Sequence, residues 1–207
     1  MRDLRAFKYV DPEHADAVAR GSLRLGTLSG YADLESARAD PWDGAILGLT
    51  TPGEVLDSDN PRDRASLAKF GCTSADGVRV RFQGINFFQG YAPTFCFCMS
   101  DSSDNAHLLA GQSQAIFEIS DYGVLAQAIL NQHAYLMSEF QAGPVAYGCR
   151  SKPIREAADL YPDPMAKDER FGAEREIRAI FRPRIDGITA FNTRPNGAIA
   201  ALLRRIA

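Results

Sequence analysis

The sequence predicts an α+β fold. Most of its apolar segments have the alternation or the β-branched and aromatic content that is typical of strands, and few helical segments separate them. A chain of 207 residues is long enough to form a complete hydrophobic core, so we expect a single domain over residues 1–207. Its hydrophobic content of 45% and charged content of 24% are typical of a soluble globular protein.

The first half of the chain is predicted to contain one helix among several strands. The Asp11-Pro12 turn starts this helix and Gly21 ends it. Residues 30–45 are irregular, and residues 51–66, which are rich in Pro, Asp and Ser, are expected to form a mobile loop. The elements are, in order, a strand over 5–10, a helix over 12–21, a strand over 22–28, a strand pair over 77–88 that bends near Gly84, and a strand over 92–100.

The second half is again rich in strands. Apolar residues spaced for one face indicate the longest helix, and Pro183 closes the last strand. The elements are, in order, a helical turn over 105–112, a strand over 113–120, a helix within 121–140, a strand over 143–149, a helix and loop over 152–172, a strand over 174–183 and a short helix over 197–207.

Charge and composition argue against several classes of protein. The net charge is −3, whereas proteins that bind the nucleic-acid backbone usually carry an excess of basic residues. No apolar run approaches the roughly 20 residues of a membrane span, and the N-terminal segment turns polar too soon for a signal peptide. We therefore expect a cytoplasmic protein with no membrane partner.

The cysteines and histidines predict no metal site. Cys96 and Cys98 lie two residues apart and would share one face of a strand as small buried side chains. The histidines, His14, His107 and His133, are scattered without metal-ligand spacing. His14 and His133 are expected at the surface.

The segment Arg170–Phe181, RFGAEREIRAIF, places Glu174 and Glu176 at the start of a predicted strand. On a strand both carboxylates would point to the same side. One interpretation is a solvated strand edge, on which the glutamates pair with Arg175 and Arg178. The other is a pair of carboxylates that points into a cleft, and the residues before the pair favour it.

Phe171, Glu174 and Glu176 form the pattern aromatic-x-x-Glu-x-Glu, which resembles the substrate-recognition turn and catalytic Glu-x-Glu of the mono-ADP-ribosyltransferases. The resemblance implies an ADP-ribosyltransferase-like pair of packed β-sheets around a central cleft with flanking helices, and it implies NAD as the cofactor. It also implies that Glu176 stabilises the oxocarbenium-like ribose formed when nicotinamide leaves. Glu174 would then orient or deprotonate the acceptor, which is often an arginine where the family has Glu at that place. Phe171 would contact the acceptor substrate.

The same resemblance assigns residues on two earlier strands. Lys8, with Tyr9 beside it, stands where the family places a cation for NAD, more often Arg or His. Ser100 and Ser102 stand where a Ser-x-Ser element lines the nicotinamide pocket, with Asp101 in place of the central Thr that members often have. The first serine is expected to hold the catalytic carboxylate in place.

The chain also resembles a widespread family of uncharacterised bacterial proteins over residues 5–181. The matching segments are FKYV, GSLRLGTL, DPWDG, FCFCMS and KDERFGAEREIR. That family shares the late Glu-x-Glu-x-Arg, which is consistent with the first resemblance. Within DPWDG, Trp42 is a candidate for substrate recognition by stacking on a base or a nicotinamide ring. The alternative is a core or interface anchor that follows the Asp40-Pro41 turn.

These patterns predict an NAD-dependent mono-ADP-ribosyltransferase that modifies a macromolecule, either protein or nucleic acid. The habits of the family suggest a bacterial toxin or a phage-defence effector, with an antitoxin or inhibitor as a further partner. Two alternatives stay open. One is a glycosidase that cleaves NAD or a nucleoside with the same carboxylates, and the other is a binding module that keeps the fold without catalysis.

Overall fold

The structure is a computed structural model, which describes residues 4–28, 30, 45–72, 75–90, 92–104 and 115–207. It is mixed α+β, with several antiparallel sheets and few helices, which confirms the predicted class. The chain forms two compact units built from alternating segments. The first unit comprises Met1–Pro41, Pro93–Ala146 and Arg170–Ala207, and the second comprises Trp42–Ala92 and Tyr147–Glu169. One domain over residues 1–207 stays a prediction.

The described elements are numbered along the chain. The strands are β1 (Ala6–Val10), β2 (Arg24–Thr27), β3 (Ile46–Leu49), β4 (Val55–Asp57), β5 (Arg79–Arg81), β6 (Phe87–Gln89), β7 (Phe95–Ser100), β8 (Ala115–Ile119), β9 (Met137–Pro144), β10 (Ala146–Gly148), β11 (Ser151–Pro153), β12 (Ala166–Asp168), β13 (Glu176–Pro183), β14 (Ala190–Asn192) and β15 (Leu203–Arg205). The helices are α1 (Ala15–Ala19), α2 (Pro61–Lys69), α3 (Tyr122–Gln132), α4 (Ile154–Ala157) and α5 (Gly197–Ala200), and two 3-10 segments cover Pro12–His14 and Glu169–Glu174.

The first unit is built on an eight-stranded sheet with β7 at its centre. One path through the sheet runs β14–β2–β7–β1–β8–β15, while β13 pairs with both β7 and β9. Along one edge, β7 pairs with β13 over its whole length. Its other edge is shared, because β2 pairs at Phe95 and Cys96 while β1 pairs at Ser100. Every neighbour of β7 is antiparallel to it.

Side-chain alternation gives this sheet two different faces. One face carries the hydrophobic core, to which α1, α3 and α5 contribute Val18, Ile129 and Ile199. The core residues of the strands include Ala6, Val10, Leu25, Phe95, Phe97, Met99, Phe117, Ile177, Ala179 and Phe181. The other face carries the residues that alternate with these on β1, β7 and β13, and we call it the Glu176 face.

The second unit has a separate small core. Leu56, Leu67, Phe82 and Ile154 are buried together there. The strands β11, β3 and β6 form a three-stranded sheet, and β4 pairs with β5. The strands β10 and β12 form a further pair.

The predicted loop over 51–66 is wrong, because these residues include β4 and the start of α2. Asn60 caps α2: its Oδ1 accepts hydrogen bonds from the amides of Arg62 at 2.9 Å and Asp63 at 3.4 Å. Pro61 fits the first turn, where its missing amide hydrogen has no helical partner to lose. Asn followed by Pro was therefore a helix-start signal.

Two other predicted elements pair differently from expectation. The predicted strand pair over 77–88 is wrong as a pair, because β5 pairs with β4 and β6 pairs with β3. The predicted helix over 197–207 ends at Ala200, after which β15 pairs with β8. The helical turn predicted over 105–112 lies outside the described residues, as does most of the irregular segment over 30–45.

The first predicted helix is confirmed by the 3-10 turn at Pro12–His14 and by α1, and it ends before Gly21. Gly21 has a φ of +78°, a left-handed conformation that glycine adopts without strain. A Cβ there would lie 2.2 Å from the carbonyl oxygen of Asn196. The close approach of these two backbone segments therefore requires glycine.

His133 follows α3 and is buried, with 3% of its surface exposed, so its predicted surface position is wrong. Its ring lies near those of Phe191 and Tyr135, at centroid distances of 5.1 and 5.9 Å. Neither ring nitrogen has a hydrogen-bond partner among the described residues. Desolvation lowers the pKa of His133 from its usual 6.5, and the positive charge of Arg194 acts in the same direction.

Burial of His133 predicts acid sensitivity of the fold. Because its pKa is lower in the folded chain, the unfolded chain binds the proton more readily once the pH falls below about 6.5. The free energy of unfolding should fall by up to ~1.4 kcal/mol per pH unit, from about pH 6.5 down to the lowered pKa.

His133→Leu should remove this part of the pH dependence. His14→Leu should keep it, because the His14 side chain is 62% exposed. Urea unfolding at several pH values measures the effect, and equal pH dependence in all three proteins would contradict it.

Candidate functional site

The strand that begins at Glu176 lies beside the strand that ends at Ser100. In the antiparallel pair of β13 and β7, Glu176 stands directly opposite Ser100, and Arg178 stands opposite Cys98. Opposite residues in such a pair project to the same face of the sheet. The predicted adjacency of these two segments is therefore confirmed, and it brings together residues 76 positions apart in the sequence.

Glu176 and Arg178 form a buried ion pair on the Glu176 face. Arg178 Nε donates a hydrogen bond to Glu176 Oε1 at 2.7 Å, and Arg178 Nη2 donates to Oε2 at 3.1 Å. Glu176 is 6% exposed and Arg178 is fully buried. Two parallel hydrogen bonds between a guanidinium and a carboxylate fix both side chains and compensate their charges. Glu176 is therefore not on a solvated strand edge.

Glu174 does not continue the strand, which corrects the expectation that both glutamates share one strand face. It is the last residue of the 3-10 segment Glu169–Glu174, and β13 begins only at Glu176. Between them Arg175 has a φ of +47°. A left-handed residue interrupts the extended backbone, so strand alternation does not relate the two carboxylates.

The turn around Arg175 is tied to the end of β7. Asp101 N donates to Arg175 O at 3.0 Å. Arg175 Nη2 donates a hydrogen bond to Asp101 Oδ2 at 3.2 Å, and Arg175 Nε lies 2.8 Å from Oδ1 in the same ion pair. Ser100 Oγ donates to Glu174 O at 3.3 Å. The segment that carries Glu174 is thus held by Ser100, which ends β7, and by Asp101, which follows it.

Tyr9 and Ser102 lie at the same end of the sheet. Phe7 stands opposite Ser100, and Tyr9 follows on the same face of β1. Tyr9 Oη donates to Ser102 O at 2.8 Å, and Ser102 N donates to Ser100 Oγ at 3.2 Å. Tyr9, Ser100, Ser102 and Glu176 therefore lie close together at this end of the sheet, and the roles assigned to them stay predictions.

Two residues assigned to substrate recognition have different outcomes. Phe171 lies in the 3-10 segment before Glu174, and the guanidinium of Arg170 lies 4.7 Å from the centre of its ring. Trp42 lies outside the described residues. Contact of either residue with an acceptor stays a prediction.

Lys8 is on the opposite face of β1 from Tyr9. It shares a face of β1 with the core residues Ala6 and Val10, and its register partner on β8 is the core residue Phe117. Lys8 Nζ donates to Cys98 O at 2.7 Å and lies 4.8 Å from the centre of the Phe97 ring. The structure thus does not place Lys8 on the Glu176 face.

Cys96 and Cys98 share one face of β7, as predicted, and their Sγ atoms are 3.4 Å apart. The hydrogen bond with Cys96 raises the pKa of the Cys98 thiol well above its usual range, and burial and the carboxylate of Glu176 act in the same direction. A protonated thiol is a poor nucleophile and a poor metal ligand. Cys98 therefore acts as a packing residue beside the ion pair.

Sequence reasoning missed two features of this site. Arg178 was considered only as a partner on a solvated edge, although its i+2 position on a strand places it beside Glu176 on whichever face Glu176 occupies. The ion pair of Asp101 with Arg175 joins residues 74 positions apart, and no local pattern indicates it.

The second unit contains a charged pocket of about 560 Å³. Its lining residues are Glu54, Arg62, Lys152, Pro153, Arg155, Glu156, Asp159 and Leu160. Both arginines of this pocket already have acidic partners. Arg155 Nε lies 2.6 Å from Asp63 Oδ1, and Arg62 Nη2 lies 3.7 Å from Asp159 Oδ2. Most ligand pockets are lined mainly by apolar side chains, so this wall is better explained as an ion-pair network.

Comparison of the chain with protein-family models, with curated proteins and with solved structures found no match. No helix among the described residues is long and apolar enough to cross a membrane. Within the same part of the chain, no group of three His, Cys, Asp or Glu side chains is placed to hold a metal ion.

The buried pair of Glu176 and Arg178 should couple the two residues strongly. Arg178→Met leaves a buried carboxylate without its cation and should lower the free energy of unfolding by about 3–5 kcal/mol, since breaking a buried pair costs that much. Glu176→Gln should also lower the free energy of unfolding. The double variant Glu176→Gln/Arg178→Met removes both charges and should recover most of the loss. Denaturant unfolding of the four proteins measures the coupling, and strictly additive losses would contradict a mutual pair.

Lys8 should contribute to stability through its contact with the backbone of β7. Lys8→Met keeps the apolar stem but removes the donor to Cys98 O, and it should cost about 1–2 kcal/mol of unfolding free energy. Lys152→Met is the matched control, because Lys152 is half-buried and has no side-chain hydrogen bond or ion pair to any residue in the described part of the chain. Equal stability of the two variants would rule out this role of Lys8.

Proposed function

We propose that the chain is an NAD-dependent mono-ADP-ribosyltransferase with an ADP-ribosyltransferase-like fold and its site on the Glu176 face. The observation that carries the proposal is the position of Glu176 directly opposite Ser100, with Tyr9 on the same face of the neighbouring strand. The resemblance calls for the carboxylate and the serine side by side, whereas the first-strand cation that it assigns, Lys8, lies on the other face of the sheet.

The reaction needs a carboxylate that is fixed close to the ribose. The bond between ribose C1′ and the nicotinamide nitrogen breaks, nicotinamide leaves with the bonding electron pair, and positive charge develops on the ribose ring. Glu176 would stabilise this charge, and pairing with Arg178 would hold the carboxylate in position before substrate binds. A carboxylate oxygen can accept two hydrogen bonds, so pairing with an arginine does not by itself prevent Glu176 from accepting a ribose hydroxyl.

In the second half of the reaction, the acceptor forms the new bond to C1′ and releases a proton. Glu174 is the candidate to orient the acceptor and to take this proton. A guanidinium suits it because carboxylates bind arginine side chains through two parallel hydrogen bonds. We infer that NAD and the acceptor approach the end of the sheet where β7 ends and β13 begins. The predicted contact of Lys8 with the NAD phosphates is not part of this proposal, because Lys8 lies on the other face of β1.

The acceptor is proposed to be a macromolecule, and the proposed role as a toxin or phage-defence effector with an inhibitor partner rests on the resemblance alone. A binding module without catalysis is the second candidate. The specific observation in its favour is that both carboxylate oxygens of Glu176 accept hydrogen bonds from Arg178. A buried pair of this kind also has a purely structural explanation.

Nicotinamide release from NAD and transfer of labelled ADP-ribose to agmatine, a small guanidinium compound, and to lysate proteins separate these candidates. The wild type should do both. Glu176→Gln should lower both by at least about 100-fold, because the lost charge is needed in the transition state. Glu174→Gln should lower transfer much more than release.

The double variant Glu176→Gln/Arg178→Met is the control for folding. It should regain stability and stay inactive, because it restores the charge balance without restoring the carboxylate. Release of nicotinamide without any labelled acceptor would support the NAD-cleaving glycosidase instead. Absence of both activities in the folded wild type would support the binding module, and equal activity of wild type and double variant would refute any catalytic role of Glu176.

A further inference from the structure

Arg175 has the only positive φ among the described residues other than glycine. A side chain with a Cβ is disfavoured in this left-handed region, so surrounding contacts must hold the backbone there. Arg175 N donates to Gly172 O at 3.2 Å, which closes the turn on its N-terminal side. The remaining contacts of this turn come from the residues that follow and end β7.

Asp101 contacts Arg175 through both its backbone and its side chain. The Asp101 amide donates to Arg175 O, and its carboxylate accepts a hydrogen bond from Nη2 of the guanidinium, with Nε in ion-pair contact. This geometry fixes the plane of the guanidinium relative to the end of β7. The contact therefore determines the position of the turn that carries Glu174, one residue before Arg175.

We propose that the pair of Asp101 and Arg175 is a positioning device that holds Glu174 toward the acceptor. This inference rests on the proposed transferase activity. Glu176 is held within β13 by its own arginine, whereas Glu174 lies outside the strand. Loss of the pair should therefore affect the transfer step, for which Glu174 is proposed, more than the cleavage of NAD.

Stability alone is a poor explanation for the pair. The Arg175 and Asp101 side chains are 57% and 42% exposed, and exposed ion pairs contribute little to stability because water and salt screen them. An exposed pair can nevertheless determine which of several turn conformations is populated. Its position between the end of β7 and the start of β13 suits that role.

The test compares single substitutions with a charge reversal. Asp101→Asn and Arg175→Gln should each lower the ratio of agmatine labelling to nicotinamide release by about tenfold, which is typical of a coupling between contacting residues. Asp101→Arg/Arg175→Asp restores opposite charges and should bring the ratio back to within about threefold of wild type. Arg182→Gln is the matched control, since Arg182 forms an exposed ion pair with Glu139 at 3.0 Å in the same unit.

Hydrogen exchange of the Asp101 amide provides a readout that needs no activity. Exchange should be faster in both single variants and slower again in the charge-reversed protein, because the side-chain pair protects the bond from this amide to Arg175 O. Unchanged exchange in the single variants would overturn the pair as a restraint. A reversed variant as impaired as the single ones, or an equal effect of Arg182→Gln, would overturn the positioning role.

Failure of the underlying function has a different signature. A wild type that releases no nicotinamide overturns the proposed transferase and the role of the pair in it, whatever the exchange data show. A wild type that releases nicotinamide but labels no agmatine overturns the present inference and leaves NAD cleavage standing. Labelling ratios that do not respond to Asp101→Asn or Arg175→Gln overturn the inference and leave the transferase standing.

Discussion

A fully buried arginine requires a fixed source of negative charge, and this requirement constrains how the central strands of the first unit pair. An arginine guanidinium stays protonated in proteins, so burial of Arg178 is tolerable only with acceptors in place. Glu176 supplies them from two residues earlier on the same strand. A shift of β13 by one residue would move both charges to the hydrophobic face. The pair therefore helps to fix the register of β13 on β7, and that register places Glu176 opposite Ser100.

The shared edge of β7 explains a second charged residue in an apolar setting. Pairing with β2 involves Phe95 and Cys96, and pairing with β1 involves Ser100, so Cys98 lies between the two contacts. Lys8 donates to the carbonyl of Cys98, and its stem lies among core residues. An ammonium on a flexible stem suits this place because it reaches a backbone carbonyl while its methylenes pack against apolar neighbours. A first-strand lysine thus has a structural explanation independent of any ligand.

The sequence predicts those parts of the fold that depend on local patterns. The β-prone apolar content of β7 and β13 and the periodicity of α3 were sufficient to locate these elements. The spacing of Cys96 and Cys98 predicted their shared face, because residues two apart on a strand project to the same side. The cap of α2 at Asn60 was also encoded locally, but the polar composition around it resembled a loop. The strand β15 could not be predicted in this way, because LLRRIA becomes a strand only through pairing with β8.

In the candidate site too, the features set by local sequence patterns were predictable and those set by long-range contacts were not. The juxtaposition of Ser100 and Glu176 was predictable because both lie on strands that the pattern identifies. The departure of Glu174 from strand geometry could not be predicted. It depends on the left-handed conformation of Arg175, whose ion-pair partner Asp101 is 74 residues away in the sequence. The face on which Lys8 lies was not predictable either. Alternation along β1 separates it from Tyr9, but only the pairing of β1 with β8 shows which of the two faces the core.

The two glutamates differ in how firmly they are held, and this difference bears on the chemistry proposed for them. Glu176 is buried, lies within a central pair of strands and is bonded twice to a buried arginine. Such a carboxylate needs no reorganisation when charge develops beside it, which is the condition under which electrostatic stabilisation is strongest. Glu174 lies on a 3-10 segment that an exposed ion pair attaches to the sheet. The ion pair positions this segment without involving β13, so the place of Glu174 is set separately from that of Glu176. Separate anchoring of the two carboxylates suits the proposed reaction, because each carboxylate is proposed to act on a different substrate.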